Sequence, residues 1–387
     1  MKKKKIIHII TRLMNGGADE NTVFSCNYSV QNGDDVTLFT GREQDKEILD
    51  KIDKKVNLIV IKNLINEIHP VKDFLALVEM KRKIKKISPD VVHTHSSKAG
   101  VIGRFAAWLC NIKLIIHTIH SLPFVNENFM KKKLYIFIEK ITSLITNKFI
   151  NVSEGTKNIY LKYKIGTFSN HHVIFSGFDV DKFKNAKKHE GENYLNTNIK
   201  LISSKVIVRV GRFEKLKRYK ELIETFNKIL EKFPNTILIL VGDGELLEEN
   251  KKLCKKLNLE NKIIFTGFVE CPEKIIALSD ICVMNSEREG LSRAMLQYLA
   301  SGKPVVCSNI YGVDEVIKNN INGFLYEIGD KDGLYNAISN LLNDSKILSN
   351  LTNGAKNTDL SRWSIELMVK KIDDLYNSEL SINFQNR

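Results

Sequence analysis

The sequence lacks the features that mark membrane-spanning, secreted or metal-stapled proteins. No run approaches 18 uninterrupted apolar residues, so we expect no transmembrane helix. The lysine-rich N-terminus has an apolar core of only 6–10, interrupted by His8, which is too short for a signal peptide. The six cysteines are scattered and contain no CxxC pair, which excludes a disulfide framework or a cysteine zinc site. We therefore expect a cytoplasmic protein with reduced thiols.

Several ligand-binding signatures are also missing. Gly16–Gly17 does not belong to a GxGxxG motif, and "SGKP" at 301–304 closes a helical pattern instead of opening one, so it is not a Walker A loop. No recognisable nucleic-acid-binding motif accompanies the net charge of +14. "DVD" at 179–181 matches a short DxD signature that holds a metal in some enzymes. It lies at the approach to a linker, so we expect turn residues there and no metal.

The positive charge is concentrated in one half of the chain. Residues 1–200 hold 33 Lys and Arg against 20 Asp and Glu, whereas residues 201–387 hold 26 against 25. An excess of this size predicts an anionic partner, and both nucleic acid and an anionic membrane surface are candidates. A lysine-rich, fully solvated surface explains the excess equally well. Candidate contact segments are "MKRKIKK" at 80–86 and "MKKKLYIFIEK" at 130–140, and the second also reads as a core helix with solvated lysines.

The chain of 387 residues alternates apolar strand-like runs with helical patterns, which predicts α/β architecture with parallel sheets. The alternation pauses in a polar stretch and then restarts, so we expect two doubly wound Rossmann-like domains facing across a cleft. Their predicted bounds are 1–185 and 204–362, with a linker at 186–203 and an amphipathic helix at 363–387 that packs toward the first domain. Strands are predicted at 5–10, 36–39, 58–61, 91–94, 114–118 and 149–152, and at 206–210, 236–241, 263–265, 281–284, 305–308 and 324–326.

The stretch "NSEREGLSRAMLQYLASGKP" at 285–304 predicts an anion site. A strand at 281–284 precedes it and a helix at 291–300 follows, so free N–H groups and the positive end of a helix dipole lie at a strand end. Gly290 allows close approach of the backbone to a ligand. Glu289 beside a phosphate fits a hydrogen bond to a sugar hydroxyl, although an acidic residue in a first helical turn is also ordinary.

Other strand ends carry candidates of the same kind. Arg212 and Lys217 follow a strand that ends at Gly211, where two cations suit a diphosphate, and a turn with solvated cations is the alternative. His120 lies past the end of the strand at 114–118, where a residue that contacts ligand belongs, whereas His117 is expected in the core. A lone histidine is more often structural than functional.

Together these motifs resemble the retaining glycosyltransferases of family 4, which have the GT-B fold. The resemblance covers nearly the whole chain and is carried by "NGGADENT", "HTHSSKAGVIGRFAA", "HTIHS", "VGRFEKLK", "VGDGE", "FTGFV" and, most specifically, "SEREGLSRAMLQYLASGKPVV". It implies a nucleotide-sugar donor, UDP-linked by expectation, with no cofactor and no catalytic metal.

The resemblance also implies roles for individual residues. Arg212 and Lys217 would neutralise the donor diphosphate, and Gly16–Gly17 would close against it. Glu289 would bind hydroxyls of the transferred sugar, and His120 would approach that sugar's reactive side. The backbone of Gly290, Leu291 and Ser292 would cradle phosphate.

Two positions depart from the family pattern. Gln297 stands where a second glutamate usually holds the ribose, and Arg218 replaces the glycine that usually follows the lysine. Both leave open an atypical donor mode or a non-catalytic partner subunit. A nucleotide-sugar 2-epimerase on the same fold is another alternative. The segments at 95–100 and 117–121 resemble bacterial enzymes of capsule, lipopolysaccharide and lipid-linked glycan synthesis, which implies a glycan or polyprenyl-diphosphate acceptor, a peripheral position at the inner membrane face and no nucleic acid.

Overall fold

A computed structural model describes residues 3–14, 16–124, 127–195, 199, 201, 203–289 and 292–385. The chain forms two compact units. Unit 1 comprises Met1–Phe178 together with Ser361–Arg387, and unit 2 comprises Asp179–Leu360.

Unit 1 is a seven-stranded parallel sheet in the order β3-β2-β1-β4-β5-β6-β7, with helices between successive strands. Its register places Ile6 beside Val36 on one side and Val91 on the other. The strands are β1 (Lys5–Ile9), β2 (Asp35–Thr40), β3 (Asn57–Val60), β4 (Val91–His95), β5 (Leu114–Ile119), β6 (Lys148–Asn151) and β7 (His171–Val173). The helices are α1 (Gly17–Gln31), α2 (Lys46–Asp50), α3 (Pro70–Ile87), α4 (Ser97–Trp108), α5 (Phe129–Ser143) and α6 (Glu154–Lys162).

Unit 2 is a six-stranded parallel sheet in the order β10-β9-β8-β11-β12-β13. Its strands are β8 (Lys205–Val210), β9 (Thr236–Val241), β10 (Ile263–Gly267), β11 (Ile281–Met284), β12 (Val305–Ser308) and β13 (Gly323–Tyr326). Its helices are α7 (Val180–Asn185), α8 (Lys188–Tyr194), α9 (Tyr219–Lys232), α10 (Leu247–Lys256), α11 (Pro272–Leu278), α12 (Arg293–Ala300), α13 (Lys331–Asn343) and α14 (Ser345–Lys356).

Both sheets are covered on two faces, and this explains why their strands are continuous apolar runs. Every residue of β9, TILILV, and of β11, ICVM, is buried. A parallel sheet is buried on both faces because its crossover helices cover both, so alternation of polar and apolar residues is not required. The predicted strands coincide with the observed ones to within two residues at each end, and only β7 was not predicted.

The structure divides the chain at 178/179 and 360/361, earlier than the expected 185/186 and 362/363. The segment expected to be the linker, 186–203, contains α8. At Gly191 of α8, an added Cβ would lie 2.2 Å from the Lys274 carbonyl oxygen of α11, so only glycine permits this close packing. Because α8 is mostly polar, its sequence has no apolar periodicity that would indicate this contact.

The C-terminal helix α15 (Ile365–Gln385) belongs to unit 1. Its Met368, Val369, Ile372 and Tyr376 join the core formed by the central strands. No helix of the described residues combines the length and the apolar character needed to cross a bilayer.

Candidate active site

The sheet of unit 2 reverses its winding at β8, which lies between β9 and β11. Ligands of open α/β sheets bind beyond the carboxyl ends of the strands at such a switch point. The segments that leave the two central strands there are 211–218 and 285–289. They contain Lys217 and Glu289, two of the residues predicted from sequence.

Lys217 and Glu289 form an ion pair. Lys217 Nζ donates to Glu289 Oε1 at 2.5 Å, and Ser286 Oγ donates to the same oxygen at 2.7 Å. The two charged side chains retain only 17% and 14% of their exposure. A half-buried, charge-assisted pair contributes more than an exposed one and fixes the direction of the carboxylate. The second carboxylate oxygen of Glu289 is therefore held in a defined position.

Arg209 connects the segments 211–218 and 285–289 through hydrogen bonds to both. Its side chain is buried, and its Nη2 donates to the Lys217 carbonyl oxygen at 3.0 Å and to Ser286 Oγ at 3.2 Å. Its Nε donates to Asn285 Oδ1 at 3.0 Å, and its guanidinium lies 4.5 Å from the centre of the Tyr219 ring. Arg209 thus positions both Lys217 and the Ser286 hydroxyl that holds Glu289.

The sequence analysis missed Arg209, Asn285 and Ser286. An arginine within the apolar run VIVRV of β8 was the available signal, because a charge inside a buried strand must be paired. The structure supplies its side-chain partners, Asn285 and Ser286, from a segment more than 70 positions away.

Arg218 is the residue at the position where the family usually has glycine, and its backbone explains that preference. It has φ 52° and ψ 38°, in the left-handed region that glycine adopts without strain. Its guanidinium donates to the Glu221 carboxylate and lies 3.7 Å from Glu287. These partners raise the Arg218 pKa, chiefly through the Glu221 hydrogen bond. The side chain thereby acquires contacts that glycine lacks.

The other residues of unit 2 that were predicted to bind the donor are Arg212, Gly290, Leu291, Ser292 and Gln297. Arg212 is exposed in the same segment as Lys217. Ser292 is the buried N-cap residue of α12, and Gln297 is half-buried within that helix. Gly290 and Leu291 lie outside the described residues. The helix itself begins at Arg293, two residues later than predicted.

Asp179 and Asp181 lie at the start of α7. Asp179 is the N-cap, and its carboxylate accepts a hydrogen bond from the Lys182 backbone N–H at 2.9 Å. Asp181 follows in the first turn of that helix. Acidic residues at these positions stabilise a helix start.

In unit 1, His120 follows β5 and borders a cavity of about 630 Å³. Its Nε2 lies 3.1 Å from His95 Nδ1. His117, expected in the core, is buried and lies 2.9 Å from the Thr94 hydroxyl through its Nδ1. Gly16 is the N-cap of α1 and Gly17 its first residue. The cavity is lined by polar residues from several loops and helix starts and by two residues of α5. The polar residues include Thr11, Arg12, Asp19, Ser96, Lys98 and His120, and the α5 residues are Tyr135 and Ile138.

Asp19 gives this cavity a titratable group. Burial raises the pKa of its carboxyl to about 7, against the lowering effect of backbone hydrogen bonds and of Arg12. A Cβ on Gly16 would lie 2.8 Å from Asp19 Oδ2, so glycine at 16 makes room for this carboxylate.

Two parallel-sheet α/β domains with sites at their switch points define the GT-B class of glycosyltransferase. HepE of Anabaena, solved in complex with UDP and glucose, has the same fold, with a TM-score of 0.82 over 97% of this chain and 100% of that chain at 18% identity. Residues 16–182 match the model described as Glycosyltransferase Family 4, and residues 196–358 match the one described as Glycosyl transferases group 1.

Curated relatives agree with these matches. The UDP-Gal:alpha-D-GlcNAc-diphosphoundecaprenol alpha-1,3-galactosyltransferase of Escherichia coli is 30% identical over 85% of this chain and 86% of its own length. The capsular polysaccharide biosynthesis glycosyltransferase CapM of Staphylococcus aureus is 25% identical over 98% of each chain. The chain therefore belongs to the family 4 glycosyltransferases, which confirms the resemblance drawn from its motifs.

Proposed function

We propose that this protein is a retaining, metal-independent hexosyl- or N-acetylhexosaminyltransferase of bacterial surface-glycan synthesis. It moves a sugar from a UDP-linked donor to a glycan or a polyprenyl-diphosphate-linked acceptor. The observation that carries the proposal is the cluster of Lys217, Glu289 and Ser286 at the switch point of unit 2. Its chemistry matches the two parts of such a donor, a diphosphate and a polyhydroxylated ring.

Transfer from a nucleotide sugar releases a nucleoside diphosphate, so the site must stabilise negative charge that develops on the leaving group. Lys217 and Arg212 supply cations beside the end of β8. Glu289, whose Oε1 is already occupied, offers Oε2 as an acceptor for a sugar hydroxyl. The α12 N-terminus, at Ser292, adds the positive end of a helix dipole.

Two comparisons support UDP as the nucleotide. HepE was solved with UDP and glucose, and the name of the E. coli relative states a UDP-galactose donor. Retention of configuration follows from the family. Metal independence is supported by the helix-capping role of Asp179, which leaves the neutralisation of diphosphate to the protein's own cations.

The donor proposal is tested by thermal unfolding with UDP, GDP and UDP-sugars. A ligand at 100 times its dissociation constant adds about 2.7 kcal/mol to the free energy of unfolding, a shift that is readily measured. UDP and one UDP-sugar are expected to stabilise the protein, and GDP is not. Stabilisation by GDP alone would overturn the choice of UDP, and stabilisation by none of them would overturn the donor site.

On the acceptor side, helix α5 carries an apolar stripe that faces solvent. Met130, Leu134, Phe137, Ile141 and Leu144 recur at helical spacing and are 77, 52, 60, 39 and 85% exposed. A contiguous exposed apolar stripe marks an interaction surface. The interpretation of this segment as a core helix is therefore wrong. The "MKRKIKK" segment differs, because its Met80 and Ile84 are fully buried and its lysines form an ordinary solvated face.

The occupant we assign to the α5 stripe is an anionic bilayer. Lys131, Lys133 and Lys140 flank the stripe, whereas Lys132 lies on the opposite face with its Nζ 5.3 Å from the centre of the Tyr163 ring. A helix with this arrangement lies in the plane of a membrane interface. Tyr135 and Ile138 of the same helix line the cavity beside His120. A lipid-linked acceptor held by the bilayer would thus reach the cavity along α5.

Vesicle co-sedimentation tests this assignment. The protein is expected to bind vesicles with anionic lipid and to leave them as salt rises, since each lysine near the surface contributes about 1 kcal/mol, or roughly fivefold. Joint replacement of Lys131, Lys132 and Lys133 by Glu should nearly abolish binding. The matched control replaces three exposed lysines of α10, Lys251, Lys252 and Lys255, and should bind almost as the wild type does. Equal loss in both triple variants, or no binding to anionic vesicles, would contradict the proposal.

A further inference from the structure

Two buried histidine rings lie in line behind His120. His8 Nδ1 is 3.0 Å from His95 Nε2, and His95 Nδ1 is 3.1 Å from His120 Nε2. His8 and His95 are 0% and 2% exposed, and their rings are stacked at 5.3 Å. These contacts run from the core of unit 1 to the wall of the cavity, and we call the set His8–His95–His120 the histidine chain.

Each nitrogen-to-nitrogen contact in the histidine chain requires one proton. Burial lowers the pKa of His8 to about 3 and that of His95 well below its usual value, so both rings are neutral near pH 7. A neutral ring has one N–H and one acceptor nitrogen. His95 therefore donates to one neighbour and accepts from the other, and both protons must point in the same direction along the chain.

His8, at the buried end of the histidine chain, determines that direction. His8 Nε2 is buried and meets no hydrogen-bond partner among the described residues. A buried N–H without a partner is rarer than an unpaired acceptor, so the proton of His8 belongs on Nδ1. His8 then donates to His95 Nε2, and His95 Nδ1–H donates to His120 Nε2.

A metal ion does not account for this cluster. The ring nitrogens of His8, His93 and His95 come within 4.8 Å of one another, but the ring nitrogens of His93 lie 2.6 Å from the hydroxyls of Tyr376 and Thr118. His8 and His95 are hydrogen-bonded to each other. A cation there would have to break several of these contacts in a closely packed core.

We infer that His8 and His95 are positioning residues that hold His120 as its Nδ1–H tautomer, so that His120 serves its substrate as a neutral hydrogen-bond donor and not as a general base. With Nε2 occupied by the His95 proton, Nδ1 is the protonated nitrogen of a neutral His120. A donor of this kind suits an oxygen atom of a substrate bound in the cavity that His120 borders. That His120 contacts substrate rests on the proposed function, whereas its tautomer does not.

The test is the nitrogen-15 spectrum of histidine-labelled protein, because protonated and unprotonated ring nitrogens of a neutral histidine have distinct shifts. Nine histidines are few enough to assign with single variants. In the wild type, His95 and His120 are both expected to carry the proton on Nδ1 at pH 7. Proton placement on Nε2 of His120 would overturn the inference. The spectrum requires no turnover, so a correct tautomer in a protein without transferase activity would count against the proposed function alone.

Variants separate positioning from general support of the fold. His95→Leu removes the donor to His120, which should then shift toward the Nε2–H form that isolated imidazole prefers. His95→Asn places an amide N–H where Nδ1 was and should restore the wild-type His120 signal. The matched control is His171→Leu, a buried histidine of the same unit outside the histidine chain, which should leave that signal unchanged. An unchanged His120 in His95→Leu, or an equal shift in the control, would contradict the inference.

Discussion

Replacing Glu289 with Ala should lower the rate of transfer without weakening nucleotide binding. The substitution removes a carboxylate whose Oε1 accepts from Lys217 and Ser286 and whose Oε2 is assigned to a sugar hydroxyl. Loss of one positioned transition-state contact lowers turnover by about 10²-fold. Lys217, however, loses a charge-assisted partner worth about 1.5–3 kcal/mol and becomes available to the diphosphate. UDP affinity should therefore stay unchanged or rise, by up to about tenfold for each 1.4 kcal/mol released.

Two measurements on the same variant decide the matter. Isothermal calorimetry gives the affinity for UDP, and single-turnover assays give the rate of transfer from the UDP-sugar found by thermal screening. Glu287→Ala is the matched control, since Glu287 lies two residues away, is 43% exposed and pairs with Arg218. It should retain both properties within about threefold, the range of a surface ion pair. Wild-type turnover in Glu289→Ala, or UDP binding weakened as much as by loss of Lys217, would refute the reasoning.

Three further outcomes are expected. Lys217→Ala should weaken UDP binding about 10- to 100-fold by calorimetry, and Arg212→Ala less because it is exposed; unchanged affinity in both would place the diphosphate elsewhere. Chelator should leave transfer intact, because Asp179 caps a helix; loss of activity that a divalent ion restores would show otherwise. The free energy of unfolding should fall as pH drops from about 6.5 toward 3, by up to about 1.4 kcal/mol per pH unit for each buried neutral histidine such as His8, because the unfolded chain binds protons that the native state excludes. Asp19 acts in the opposite direction between about pH 4 and 7, because its raised pKa lets the native state bind a proton that the unfolded chain does not. It therefore offsets the loss of stability caused by one histidine in that range. Urea unfolding at pH 7 and pH 5 measures the net change in the free energy of unfolding.

The strands could be predicted from sequence because burial on both faces gives runs such as TILILV without polar interruption. The loops at the switch point could be placed for the same reason, since parallel strands present their carboxyl ends at one edge of the sheet. The sequence alone therefore predicts that Glu289, Lys217 and Arg212 lie in one region.

The pairing within that region could not be predicted. Lys217 and Glu289 are 72 positions apart, and their contact depends on how Arg209 connects two loops. The sequence shows Arg209 only as a charge in an apolar strand, and its side-chain partners, Asn285 and Ser286, come from the loop after β11. The contacts of His8, His95 and His120 are likewise formed only by the order of strands in the sheet.

Apolar periodicity alone also fails to predict how two helices, α5 and α8, are packed. The apolar positions of α5 repeat as they would in a core helix, yet Phe137 and Leu144 face solvent. A helical pattern reports which residues share a face and does not report what covers that face. In α8 the reverse holds, because a polar segment packs closely through Gly191 against Lys274.

The central claim, transfer of a sugar with retention, is tested most directly by the anomeric configuration of the product. The protein is incubated with the stabilising UDP-sugar and a panel of polyprenyl-diphosphate-linked sugar acceptors, and the product is examined by proton NMR. The account predicts an enlarged lipid-linked glycan, with UDP released in equal amount and the new linkage in the same α configuration as the donor. A β linkage would contradict retention, and release of UDP with a free epimerised sugar in the absence of acceptor would identify an epimerase instead.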